Sequence, residues 1–69
     1  MNIENIVVKV FSSMGGEAHS EDLLFAEVLK QHKELVDNQA AVREAIANLV
    51  QKGVIVHDSK MPLWIHLNK

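Results

Sequence analysis

The chain has no cysteine, no tyrosine and a single proline, Pro62. Without cysteine, neither a disulfide nor a thiolate metal site can stabilise it, and redox chemistry at a thiol pair is excluded. Aromatic side chains are scarce, with only Phe11, Phe25 and Trp64 present. No apolar run reaches the roughly 18 residues that a membrane-spanning helix needs. The apolar stretch near the start is broken by Lys9 and lacks a basic flank, so it does not read as a signal peptide. An intracellular protein of the cytoplasm or nucleus is the expectation.

What remains is ordinary globular material in a small amount. The 69 residues are 48% hydrophobic and 23% charged, a balance that folds rather than staying disordered. The length suffices for one domain, expected to span residues 1–69, whose core is taken up by stability and leaves little for a large internal cavity. The net charge is −2, and it is unevenly distributed. Residues 1–37 carry three lysines against seven carboxylates (net −4), whereas residues 38–69 carry four cations against two carboxylates (net +2). Such asymmetry suits a nucleic-acid face backed by an acidic scaffold, although an overall negative charge disfavours strong non-specific DNA binding.

Hydrophobic spacing predicts a first helix over 3–14. Ile3, Ile6, Val7, Val10, Phe11 and Met14 fall on one face, only Val8 lies off it, and Gly15-Gly16 ends it. A short extended piece is expected at 17–19. Ser20 then caps a second helix over 21–32, with Glu21 and Asp22 in the dipole-favoured first turn and Leu24, Phe25, Val28 and Leu29 inward. Residues 33–38 read as a connector ending in a cap at Asp37 or Asn38. A third helix follows over 39–52, marked by Val42, Ala45, Ile46, Leu49 and Val50 and closed by Gly53. The period then changes to two. Residues 54–57 read as a strand, 58–62 as a polar turn and 63–67 as the return strand, with Leu63, Ile65 and Leu67 on one face and Trp64 and His66 on the other. The fold class expected is α+β: three helices followed by a C-terminal β-hairpin.

Three helices, the third ending in Leu49-Val50-Gln51-Lys52-Gly53 before a hairpin, resemble the winged-helix superfamily over nearly the whole chain. The segment Val42 to Ile55 carries the likeness. The resemblance implies helix three in a DNA major groove and the hairpin, or wing, along the backbone or minor groove. Some members of the superfamily bind RNA or proteins instead, so fold alone does not settle function. The wing segment Met61-Pro62-Leu63-Trp64 further resembles the Zα family, which binds left-handed DNA or RNA. There, prolines before a tryptophan contact the backbone and the tryptophan supports a tyrosine of helix three. Pro62 and Trp64 match. Arg43 stands where that family has a phosphate-binding asparagine, Ala47 where it has the tyrosine, and Met61 where it has a second proline.

Stepping about 100° per residue along helix three places Ala40, Glu44, Ala47, Asn48 and Gln51 outward, flanked by Arg43 and Lys52. With Gln39 at the helix start, these form a candidate groove-reading surface. The small Ala40 and Ala47 permit close approach. Asn48 and Gln51 suit an adenine edge, and Arg43 suits guanine or phosphate. Glu44 repels phosphate unless it accepts from a cytosine amine. Lys60, Pro62 and Trp64 add candidate contacts from the wing, and Trp64 is expected to cover helix three. A second possibility is a protein interface on helices one and two, using Glu21, Asp22, Glu27 and Leu23. Val8, Leu23 and the termini are candidate homodimer contacts. The four histidines show no i, i+4 ligand pair, although two could meet across the hairpin. Ser12, Ser13, Ser20 and Ser59 sit in no nucleophile motif. No enzyme activity, metal or cofactor is expected.

Overall fold

A computed structural model describes residues 2–68. Met1 and Lys69, the termini named above as dimer contacts, lie outside the described residues. Helix α1 spans Ile3–Ser13, strand β1 Glu17–Ala18, helix α2 Glu21–Gln31, a 3-10 segment Lys33–Asn38, helix α3 Gln39–Gln51, and strands β2 and β3 Ile55–His57 and Ile65–Leu67. The class is α+β, with three helices and a three-stranded antiparallel sheet in the order β1-β3-β2. Among the described residues no helix is long and apolar enough to cross a membrane.

The helix ends follow from local chemistry. Asn2 Oδ1 accepts from the Asn5 N–H at 3.2 Å, and Ser20 Oγ accepts from the Leu23 N–H at 3.2 Å, so α1 and α2 each begin on a side-chain cap. Asn38 precedes α3 without such a bond. Both α1 and α3 stop in a Schellman turn. The Gly16 N–H reaches the Phe11 carbonyl and the Gly15 N–H that of Ser12. In the same way Val54 reaches Leu49 and Gly53 reaches Val50. Gly15 and Gly53 take positive φ of 87° and 80°, the backbone conformation these turns require.

The three helices and the sheet close over one core. Phe11, Leu24, Ile46, Ile55 and Ile65 are its largest fully buried side chains, each contributing on the order of 2–3 kcal/mol by leaving water. No polar or charged residue is buried among those described. Most of the expected stripes point inward. Ile3, Ile6, Met14, Phe25, Leu29 and Val50 are only half-buried, and Val8, expected off the stripe, also packs partly against the core.

Two segments depart from the reading of the sequence. The connector 33–38 is helical in the 3-10 sense and plugs the core with Leu35, which is 3% exposed. Short 3-10 turns carry no sustained apolar period, so one inward leucine leaves no pattern to read. The return strand begins at Ile65 rather than residue 63. Trp64 N–H donates to the Met61 carbonyl at 2.8 Å, which makes Met61-Pro62-Leu63-Trp64 a β-turn with proline at its favoured second position. Leu63 is therefore at the tip, 75% exposed, and does not share the buried face of Ile65.

Sheet register fixes which side chains face the helices. Ala18 pairs with Ile65 across β1 and β3, while Ile55 pairs with Leu67 and His57 with Ile65 across β2 and β3. Directly paired residues share a face, so Ala18, Ile55, His57, Ile65 and Leu67 point to the helical side. Glu17, Val56 and His66 point away. Asp58 N–H donates to the Trp64 carbonyl at 2.9 Å, which extends the ladder one rung and places Trp64 on the outer face.

Candidate nucleic-acid interface

Helix α3 buries Val42, Ala45, Ile46 and Leu49, and this alone determines what it presents to solvent. Gln39, Ala40, Arg43, Glu44, Ala47, Gln51 and Lys52 are exposed. Asn48 is half-buried and turns toward the start of α1, where it lines an open cavity of about 580 Å³ with Asn2, Ile3, Glu4 and Glu44. The face expected from helical spacing is thus present, with Asn48 at its edge.

Its cations are not free. Arg43 Nη1 donates to Asp22 Oδ1 at 2.7 Å, and its guanidinium carbon lies 3.9 Å from the centroid of the Phe25 ring. Lys52 Nζ donates to Glu4 Oε1 at 2.7 Å. Each pair is largely solvated and worth about 0–1 kcal/mol, so a phosphate can replace the carboxylate at small cost. Glu44 makes no ion pair among the described residues and leaves an uncompensated negative charge in mid-face.

The tip of the hairpin stands near Arg43 of α3. Leu63 lines a cleft of about 240 Å³ with Ser20, Glu21, Asp22, Arg43 and His57. His57 joins the hairpin to α2. Its Nδ1 lies 2.6 Å from the Pro62 carbonyl oxygen and its Nε2 lies 3.0 Å from Glu21 Oε2. The Pro62 carbonyl and the Glu21 carboxylate only accept, so each contact is a hydrogen bond when the ring nitrogen facing it carries the proton. Sequence alone does not reveal this bridge. Glu21 reads there as a dipole complement, and nothing in the spacing of residues 21, 57 and 62 announces that they meet.

Trp64 is placed differently from the expectation that it covers helix three. It lies on the outer face of the sheet and stacks on His19, with ring centroids 4.1 Å apart and planes at 20°. The reason is register: Glu17 opposes His66 and Ala18 opposes Ile65, so His19 opposes Trp64. Lys60, whose backbone N–H is held by Asp58 Oδ1 at 3.3 Å, lines a groove of about 280 Å³ with His19, Met61, Pro62, Leu63 and Trp64. The structure therefore gathers the sequence-derived residues into two neighbouring patches: the α3 face carrying Arg43, and the hairpin groove carrying Lys60, Pro62 and Trp64. Leu63 borders both cavities. Lys52 sits apart, beside Glu4 of α1.

No group of three histidine or acidic side chains is arranged to hold a metal ion among the described residues. Comparison with known protein families, with curated proteins and with solved structures found no match to this chain.

Proposed function

We propose that the chain is a small nucleic-acid-binding domain of the winged-helix kind, acting inside the cell, in cytoplasm or nucleus, as a regulator or accessory factor. Helix α3 enters the major groove of DNA and the turn between β2 and β3 follows the backbone. One observation carries this reading: Arg43, at the flank of the open face of α3, and Leu63, at the tip of the hairpin, border the same cleft, so the two elements can meet one ligand. The exposed Ala40 and Ala47 let the helix approach base edges, Gln51 offers paired hydrogen bonds, and Arg43 exchanges Asp22 for phosphate or guanine. The order of elements supports the reading, since three helices and then a hairpin is what the resemblance implies.

A titration followed through Trp64 emission tests it, with B-form duplex, a CG-repeat duplex locked in the Z form, and single-stranded RNA at two salt concentrations. Salt-sensitive binding of B-form duplex is expected. Preference for the Z-locked duplex would transfer the wing to the Zα mode despite Ala47. A second reading, a protein-binding winged helix, draws on the exposed Leu23 and Leu63 beside the acidic start of α2. It predicts no response to any nucleic acid.

A further inference from the structure

The groove on the outer face of the sheet has a composition that the α3 reading leaves unused. Trp64 stacks on His19, His19 is exposed, and both rings line the groove. Next to it the turn projects Met61 and Leu63, 50% and 75% exposed, on either side of Pro62. Lys60 is the one permanently charged side chain lining the groove, and no carboxylate lines it. Two acidic residues share that sheet face: Glu17 stands opposite His66, two residues along the strand from His19, and Asp58 stands opposite Trp64, its Oδ1 accepting from the Lys60 N–H.

We infer that this groove receives an unpaired nucleobase, packed against the exposed His19–Trp64 pair, with the adjoining phosphate on Lys60. Three features select a base over other occupants. An aromatic ring backed by a second ring is a rigid stacking platform, and every base has a face to offer it. Exposed methionine, proline and leucine at a loop tip match the apolar wedges that pry neighbouring bases apart. Lys60, the one permanent cation lining this largely apolar groove, complements a phosphate. The inference rests on the nucleic-acid reading above and sharpens its ligand: duplex containing a bulged or extruded base, or a single-stranded stretch beside a duplex.

The test uses fluorescently labelled oligonucleotides and anisotropy: a blunt duplex, the same duplex with one bulged base, and the corresponding single strand. The intact chain should bind the bulged duplex about tenfold more tightly than the blunt one, toward the low end of what one stacked base supplies. His19→Ala should remove that preference while leaving blunt-duplex affinity unchanged, and His19→Phe, which keeps a ring, should restore it. Equal affinity for blunt and bulged duplex, or a preference that survives His19→Ala, would overturn the inference and leave the α3 reading standing. Preference for single strand with no duplex binding would support the inference and remove the α3 reading. Failure to bind all three at micromolar protein would overturn both and leave the apolar tip to a protein partner.

Discussion

Arg43 lies across the ring of Phe25 at 3.9 Å while donating to Asp22 at 2.7 Å. A residue of α3 is thereby in contact with two residues of α2, and this cation of the proposed contact face is already paired. The carboxylate competes with any phosphate that arrives. Asp22→Ala should therefore raise affinity for duplex about two- to fivefold, an exchange worth no more than a solvated ion pair. Arg43→Ala should lower it by about tenfold, within the range of one good base or phosphate contact. Anisotropy titration of both variants measures this, and an Asp22→Ala variant that binds more weakly would show the pair to be needed intact.

His57 holds the hairpin against α2 through Pro62 and Glu21. His57→Ala should destabilise the fold by about 1 kcal/mol, the usual net value of one hydrogen bond to a backbone carbonyl. Denaturant titration of His57→Ala, Glu21→Ala and the double variant gives the coupling between the two side chains, expected between about 0.2 and 1 kcal/mol. Strictly additive effects would mean that the pair does not couple.

Gly53 closes α3 at a φ of 80°, and a Cβ there would meet nothing within 4 Å. Gly53→Ala should thus cost only the backbone penalty of the left-handed conformation, about 1–2 kcal/mol. Gly53→Asn should cost less, because asparagine tolerates that region. Thermal unfolding of the two variants checks the order; equal destabilisation would point to packing rather than φ.

Leu35 and Val36 are neighbours in the 3-10 segment with opposite fates, 3% and 46% exposed. Leu35→Ala should cost roughly 2–5 kcal/mol, enough to threaten a domain of this size. Val36→Ala should stay within about 0.5 kcal/mol. Similar destabilisation from both would contradict the inward placement of Leu35.

The elements legible in the sequence are those with a sustained period or a distinctive cap. Val42 to Leu49 repeats over two helical turns, Ser20 precedes two acidic residues, and Gly53 marks a change from period 3.6 to period 2. Helices α2 and α3 and strand β2 accordingly lie within a residue or two of where the sequence puts them. Leu35 escapes because a single inward residue in a 3-10 turn has no periodicity. Leu63 reads as a buried-face residue only while the strand alternation is carried into the turn that Pro62 starts. The exposed face of α3 is legible too, since it is the complement of a buried stripe. The partners of its cations are not: Asp22, Glu4 and Phe25 reach Arg43 and Lys52 only through tertiary packing, and His19 meets Trp64 only through the β1–β3 register.

Salt dependence of duplex binding is the measurement to make first, using wild type and the Arg43→Ala/Lys60→Ala double variant. If α3 and the hairpin neutralise phosphates, log K falls linearly with log salt in the wild type. The slope then becomes shallower by about 0.9 for each phosphate left without its cation, so by about two in the double variant. A wild-type affinity indifferent to salt, or a slope that the double substitution leaves unchanged, would contradict the assignment of this face to nucleic acid.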